Sequence, residues 1–123
     1  MIKLHIIVPC RNVEASIQST ATKLQEKLTE LKATNDISAY SRIVFVDDGS
    51  TDRTWNLISD IHSSNRIFSA VKLTKTQGRQ YAILAGLQSV AEFTDVAITY
   101  DPKILDDLNI IDRFLKEYES VIS

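Results

Sequence analysis

The sequence predicts an α/β fold in three layers, α/β/α, with a mainly parallel sheet at the centre. Three observations predict it. Four short runs of apolar and β-branched residues alternate with four stretches whose apolar residues recur at helical spacing. The connections between them are short and polar, with no internal repeat, low-complexity tract or interdomain linker. A chain of 123 residues, 44% hydrophobic and 24% charged, has the length and balance for one buried core rather than a disordered or fibrous chain. Residues 1–123 are therefore expected to form one domain.

Residues 4–9 (LHIIVP) read as a strand closed by proline. Val13, Ile17, Ala21, Leu24, Leu28 and Leu31 then step by three and four, the stripe of a long amphipathic helix. A polar loop over about residues 33–41 leads to 42–47 (RIVFVD), a run suited to a strand buried on both faces. Ser50 or Thr51 can cap a second helix carrying Trp55, Ile58 and Ile61. Residues 67–73 form the third strand. Residues 80–91 form the third helix, with Ile83, Leu87 and Val90 on one side and small Ala82, Ala85 and Gly86 permitting close packing. Residues 95–100 form the fourth strand. Asp106 or Asp107 caps a last helix with Leu108, Ile111, Leu115 and Tyr118 inward. The order βαβαβαβα is Rossmann-like, with right-handed crossovers and helices on both faces.

Composition excludes several function classes. Fourteen basic residues stand against sixteen acidic ones, a net charge of -2, which is no nucleic-acid footprint. The single cysteine, Cys10, permits no intrachain disulfide and no cysteine-based zinc site, so a reducing, cytoplasmic setting is the default. Cys10 reads as a small buried residue rather than a nucleophile. The N-terminal apolar run is too short for a signal segment, and no stretch approaches the roughly 18 apolar residues of a membrane span. His5 falls in a strand and His62 in a helix, and both read as structural.

In parallel α/β sheets ligands bind outside the carboxyl ends of the strands. Here all four strand ends are polar: Pro9-Cys10-Arg11-Asn12-Val13-Glu14, Asp47-Asp48-Gly49-Ser50-Thr51-Asp52, Thr74-Lys75-Thr76-Gln77-Gly78-Arg79-Gln80, and Asp101-Pro102-Lys103. The second is the most informative. Adjacent carboxylates repel, so one needs a partner, and a carboxylate there can accept from a uracil-type N3–H or from ribose hydroxyls. Gly49 lets the backbone approach a ligand or take a positive φ. Turn and helix-cap chemistry explains Asp-Gly-Ser by itself. The acidic pair after an apolar strand, beside three other polar strand ends, favours ligand binding.

These segments resemble family-2 glycosyltransferases, inverting enzymes of the GT-A fold. VFVDDGSTDRTWNLI resembles the family's V-D-D-G-S-x-D signature, and IIVPCRNVEASI its opening V-P-x-Y-N-E segment. LTKTQGRQYAILAGL resembles its L-x-R-N-x-G-K segment, and DVAITYDPKILDDLNIIDRFL its D-A-D-L-Q-D-P-P segment. The matches follow in order over nearly the whole chain. The nearest subgroup is that of polyprenyl-phosphate glycosyltransferases, which charge undecaprenyl or dolichyl phosphate.

The resemblance implies a nucleotide-diphospho-sugar donor, UDP- or GDP-linked, held by Pro9, Arg11, Asn12 and Glu14, with Asp48 on the base. Asp47 then positions the loop or the ribose. Arg11 stands where a Tyr is frequent, and its guanidinium plane can stack in place of a ring. Gly78 and Arg79 correspond to the Gly-Lys pair near the pyrophosphate, where Arg79 can pair with phosphate oxygens. Helix capping is the competing reading for Asn12 and Glu14, and a solvated helix start for Arg79. Lys75 and Thr76 replace the usual Arg and Asn.

The resemblance also implies a Mg or Mn cation, with Asp101 as its ligand. Lys103, however, stands in place of the motif's second acid, and an ammonium repels a metal ion. Three explanations compete: Lys103 supplies the charge, Asp106 or Asp107 substitutes as ligand, or metal-dependent catalysis is impaired.

No catalytic base is identifiable. The chain is expected to be the N-terminal, donor-binding half of a glycosyltransferase domain. Any membrane association then lies at the inner face, through a longer chain. Such a half leaves an edge and an apolar surface uncovered, so a homo-oligomer is expected. The alternative function is a nucleotide-sugar-binding module without turnover. A phosphoacceptor receiver domain shares length and alternation, but its acidic pair follows the first strand, and here the pair follows the second.

Overall fold

The computed structural model describes residues 1–34, 36–104 and 107–122, with side chains through residue 117. Its elements are β1 (Leu4–Cys10), α1 (Ile17–Ala33), β2 (Arg42–Asp48), α2 (Thr54–Ser64), β3 (Phe68–Leu73), α3 (Arg79–Val90), β4 (Val96–Thr99) and α4 (Asn109–Ile122). The four strands form one parallel sheet in the order β3-β2-β1-β4. The expected α/β architecture is present.

The sheet's two faces carry separate cores. Leu4, Ile6 and Val8 of β1 and Ile43 and Phe45 of β2 point to one side, where α1, α2 and α4 cover them. Ile7, Val44 and Val46 point to the other, against Ala82 and Val90 of α3. Central strands buried on both faces need continuous apolar runs, which is why β1 and β2 lack polar alternation. Phe45 and Phe68 stack across neighbouring strands with ring centroids 5.6 Å apart. On α1 the stripe Ile17, Ala21, Leu24, Leu28 and Leu31 is buried as its spacing predicts. Buried Lys27 on the same helix pairs with Asp112 of α4.

Several boundaries and faces differ from expectation, for local reasons. Val13 precedes α1 instead of opening its stripe. Asn12 has φ +52, which turns the chain, and the Val13 carbonyl then accepts from the Ser16 and Ile17 N–H groups. Neither Ser50 nor Thr51 caps α2. The helix starts later, and the Asp52 carboxylate accepts from the Thr54 N–H at 2.9 Å. On α3 the buried residues are Ala82, Gly86 and Val90, whereas Ile83 and Leu87 are half-buried. A Cβ at Gly86 would lie 2.6 Å from Ile7 Cγ2 and 2.9 Å from Val46 Cγ2. The helix lies too close to the sheet for large side chains, so the small residues face inward, in the packing role expected of them.

β4 is shorter than expected, but its flanks are tied in. Asp95 accepts from the Lys3 N–H at 2.8 Å, and the Tyr100 N–H donates to the Ile7 carbonyl at 2.9 Å. Asp107 accepts from the Asn109 N–H at 3.0 Å, a capping role at the start of α4, where Ile111 and Leu115 are buried. Asp106 and the side chain of Tyr118 lie outside the described residues.

Both histidines are structural. His62 Nδ1 lies 2.8 Å from the Phe68 carbonyl, so that nitrogen carries the proton. His5 is buried, with Nδ1 2.8 Å from Thr94 Oγ1 and its ring edge-on to Phe93. Burial, then the Arg42 and Lys3 charges, hold the His5 pKa below its ordinary 6.5. The sign follows directly. Below about 6.5 the unfolded chain binds a proton that the folded chain resists, so stability falls as the pH drops through that value. Chemical denaturation at pH 7.5 and 5.5 should show this loss, and His5→Gln should reduce the difference. An equal pH difference in the variant would remove His5 as its source.

Candidate functional site

α1 and α2 carry the chain outward from β1 to β3 across one face, and α3 brings it back over the other face to β4. The strand order therefore reverses between β1 and β4. Loops leaving a sheet on either side of such a reversal diverge and open a crevice. A cleft of about 320 Å³ lies there, lined from all four strand ends: Pro9 and Arg11, Asp48, Gly78 and Arg79, Asp101 and Lys103.

The loops around it are sewn together by side-chain-to-backbone bonds. Asn12 Oδ1 accepts from the Thr51 N–H at 2.8 Å and the Asp52 N–H at 3.3 Å, while its own N–H donates to Ser50 Oγ at 2.9 Å. Glu14 Oε2 accepts from the Arg53 N–H at 3.2 Å, and the Glu14 N–H donates to Asp52 at 3.3 Å. Fully buried Thr54 accepts from the Val13 N–H at 2.8 Å. The β1 loop is thus clamped onto the turn that leads into α2, and Glu14 also satisfies the N–H of Arg53 at the helix cap. Hydrogen bonding, chiefly from Thr54, holds the Asp52 carboxyl below its ordinary pKa.

The acidic pair divides its work. Asp47 is buried and accepts from Ser50 Oγ, while its Oδ2 has no partner among the described residues. Asp48 reaches the third loop: Oδ1 accepts from the Gln77 N–H at 2.7 Å and Oδ2 from the Gly78 N–H at 3.1 Å. Each carboxylate oxygen retains acceptor capacity for a ligand. Thr76, which the sequence pattern marked only as a departure, binds the same loops. Its hydroxyl lies 3.2 Å from the Asp48 carbonyl and 3.3 Å from Arg11 Nε. No local signal marks Thr76, because its partners lie 28 and 65 residues away.

At the β4 end, Arg79 Nε donates to Asp101 Oδ2 at 2.9 Å, and the Lys103 N–H donates to Asp101 Oδ1 at 3.0 Å. The Lys103 ammonium donates to the Arg11 carbonyl at 3.2 Å. Cys10 sits beneath the cleft with its thiol towards the Val8 carbonyl. Burial first, then the Asp47 and Asp101 charges, push its pKa up to about 12, so the thiol stays protonated and unreactive at neutral pH.

The structure brings Pro9, Arg11, Asp48, Gly78, Arg79 and Asp101 to one cleft, with Lys103. Asn12, Glu14 and Asp47 are not part of its wall; they hold the loops that form it.

The described residues do not fit a Mg or Mn ion. Such a cation takes several oxygen ligands. Among the described residues only Asp48 and Asp101 bring carboxylates to the cleft wall, and Asp101 is already paired with Arg79 and bonded by the Lys103 backbone. Three cationic side chains, Arg11, Arg79 and Lys103, would meet a dication there. Among the described residues no group of three His, Cys, Asp or Glu side chains could hold a metal ion. Asp107 caps α4. No helix among the described residues is long and apolar enough to cross a membrane.

The profile of Glycosyl transferase family 2 matches residues 5–92, from β1 to just past α3. An uncharacterized glycosyltransferase of Bacillus subtilis, YkoT, is 39% identical over 94% of this chain and 34% of its own length. The undecaprenyl-phosphate 4-deoxy-4-formamido-L-arabinose transferase of Pectobacterium atrosepticum is 32% identical over 95% of this chain and 33% of its own. The bactoprenol glucosyl transferase of Shigella phage SfX is 27% identical over 96% of this chain and 36% of its own. The chain thus spans about a third of the length of the curated relatives it matches. The matched segment contains the first three strand ends of the cleft, and the chain belongs to glycosyl transferase family 2.

Proposed function

We propose that the chain forms the donor side of a glycosyltransferase, binding a UDP- or GDP-linked sugar for inverting transfer to a polyprenyl phosphate. One observation carries the reading: in a chain of this family, Asp48, Arg11, Arg79 and Lys103 converge on one cleft at the switch point of the sheet. The acceptor class rests on relatives named for bactoprenol and undecaprenyl phosphate. A place at the cytoplasmic face of a membrane belongs to the same proposal.

In this reading Asp48 accepts from the nucleoside, Pro9 and the Arg11 plane flank the base, and Gly78 and Arg79 meet the diphosphate. Asn12, Glu14 and Asp47 act indirectly by holding the loops. Binding is the first test. A ligand that binds only the folded state at about 100 times its Kd adds about 2.7 kcal/mol of stability. UDP or GDP should therefore raise Tm by roughly 5–10 °C. No shift with either nucleotide up to millimolar concentration would remove the donor-site reading.

A second reading, binding without turnover, is favoured by Lys103, a cation in the cleft wall where the motif that the chain resembles carries its second acid. Nucleotide binding with no sugar transfer to polyprenyl phosphate would select it.

Self-association is part of the proposal. Tyr81 and Leu84 on α3 and Phe93 just after it are exposed, an apolar surface of the kind partners cover. Sedimentation should show a species larger than the monomer, and a monomer alone at high concentration would end this reading.

A further inference from the structure

The misfit between the cleft and a divalent cation has a chemical meaning. A nucleoside diphosphate carries two to three negative charges that something must neutralise, both on binding and on departure as a leaving group. A hard dication is one solution. Fixed guanidinium and ammonium groups are another, because both donate charge-assisted hydrogen bonds to phosphate oxygens.

The cleft is built for the second. Arg79 bonds Asp101 through Nε, and among the described residues its terminal guanidinium nitrogens have no other partner and remain as donors. Its side chain is 44% exposed while that of Asp101 is 10% exposed. The carboxylate is thus the buried anchor and the guanidinium the presented group. The Lys103 ammonium is steadied by the Arg11 carbonyl at 3.2 Å, which uses one of its three protons. Lys103 also bonds Asp101 through its backbone N–H, so Asp101 holds the Arg79 guanidinium and the main chain that carries Lys103. The wall then holds three cations against two carboxylates, an excess that suits an anion and opposes a metal. Gly78 lines the same cleft, and no atom of the described residues lies within 4 Å of where a Cβ on it would stand.

We infer that this cleft takes its nucleotide diphosphate without a divalent cation, with Arg79 and Lys103 supplying the charge and Asp101 acting as their positioning residue rather than as a metal ligand. The inference rests on the proposed nucleotide-sugar site, and its test separates the two.

Calorimetry with UDP and with GDP, in EDTA and then in millimolar Mn²⁺, reads it directly on chain whose cooperative melt confirms folding. The expected result is binding in EDTA that Mn²⁺ changes by less than about threefold. Arg79→Met and Lys103→Met should each weaken binding in EDTA by tenfold or more, with Tm in the absence of nucleotide within a few degrees of the parent. Asp101→Asn should weaken it less than either, and Asp101→Glu should restore it. Binding that appears only with Mn²⁺, or tightens about threefold or more with it, overturns the inference and leaves the nucleotide site standing. Arg79→Met and Lys103→Met variants that bind like the parent also overturn it. No binding in either buffer overturns both.

Discussion

Replacing Gly49 by alanine is expected to lower stability by about 2–4 kcal/mol and Tm by roughly 5–15 °C. Gly49 has φ +65, a conformation that costs an L-residue about 1–2 kcal/mol. Space adds the rest. A Cβ there would lie 2.5 Å from the Thr76 nitrogen and 2.8 Å from the Lys75 carbonyl carbon. Both are backbone atoms, so no rotamer change relieves the clash, and the loop after β3 must move as a unit. That loop presents the Gln77 and Gly78 N–H groups to Asp48 and leads into Arg79. Thermal unfolding and nucleotide calorimetry should therefore fail together. A variant with parental Tm would show that the loop yields freely and that the close approach carries no stability.

Much of this was legible in the chain because the relevant forces are local or periodic. The run from Arg42 to Val46 announces a strand because burial on both faces admits few polar residues. The acidic pair and its three polar neighbours announce the edge where the cleft lies, because the sheet's ends are where loops can be polar. What was not legible depends on distance along the chain. Asn12 and Glu14 sit at a strand end like ligand residues, yet their partners are backbone N–H groups 39 and 40 residues away. A hydrogen bond to a distant helix start leaves no mark on spacing. The inward face of α3 is hidden from the sequence pattern for another reason. Hydrophobic periodicity ranks Ile83 and Leu87 above Ala82 and Gly86, whereas close approach to Ile7 and Val46 selects for lack of volume. Arg79 and Asp101 were assigned separately, to phosphate and to metal, and only the folded chain shows them paired.

The second large effect is expected at Asp48. Asp48→Ala removes the acceptor of two N–H groups, at 2.7 and 3.1 Å, from a side chain that is 4% exposed. Hydrogen bonds to a charged group contribute about 1.5–3 kcal/mol each, but water in the cleft can reach the freed donors, so a loss of about 2–4 kcal/mol is expected. Nucleotide binding should fall by tenfold or more, since the same carboxylate is the proposed acceptor for the nucleoside and the anchor of the Gly78–Arg79 segment. Asp48→Asn separates the two roles. Its amide keeps one acceptor oxygen but turns an NH₂ towards the other backbone N–H, so about half the stability loss should remain. Its donor group also faces a base N–H that needs an acceptor, so binding should stay impaired even where folding has largely recovered. If Asp48→Asn binds UDP and GDP like the parent, Asp48 serves the loop alone and the nucleoside is held elsewhere in the cleft. If it loses binding while its Tm stays within a few degrees of the parent, the carboxylate acts on the ligand directly. The order of the three proteins in Tm and in Kd then assigns Asp48 its role without recourse to turnover.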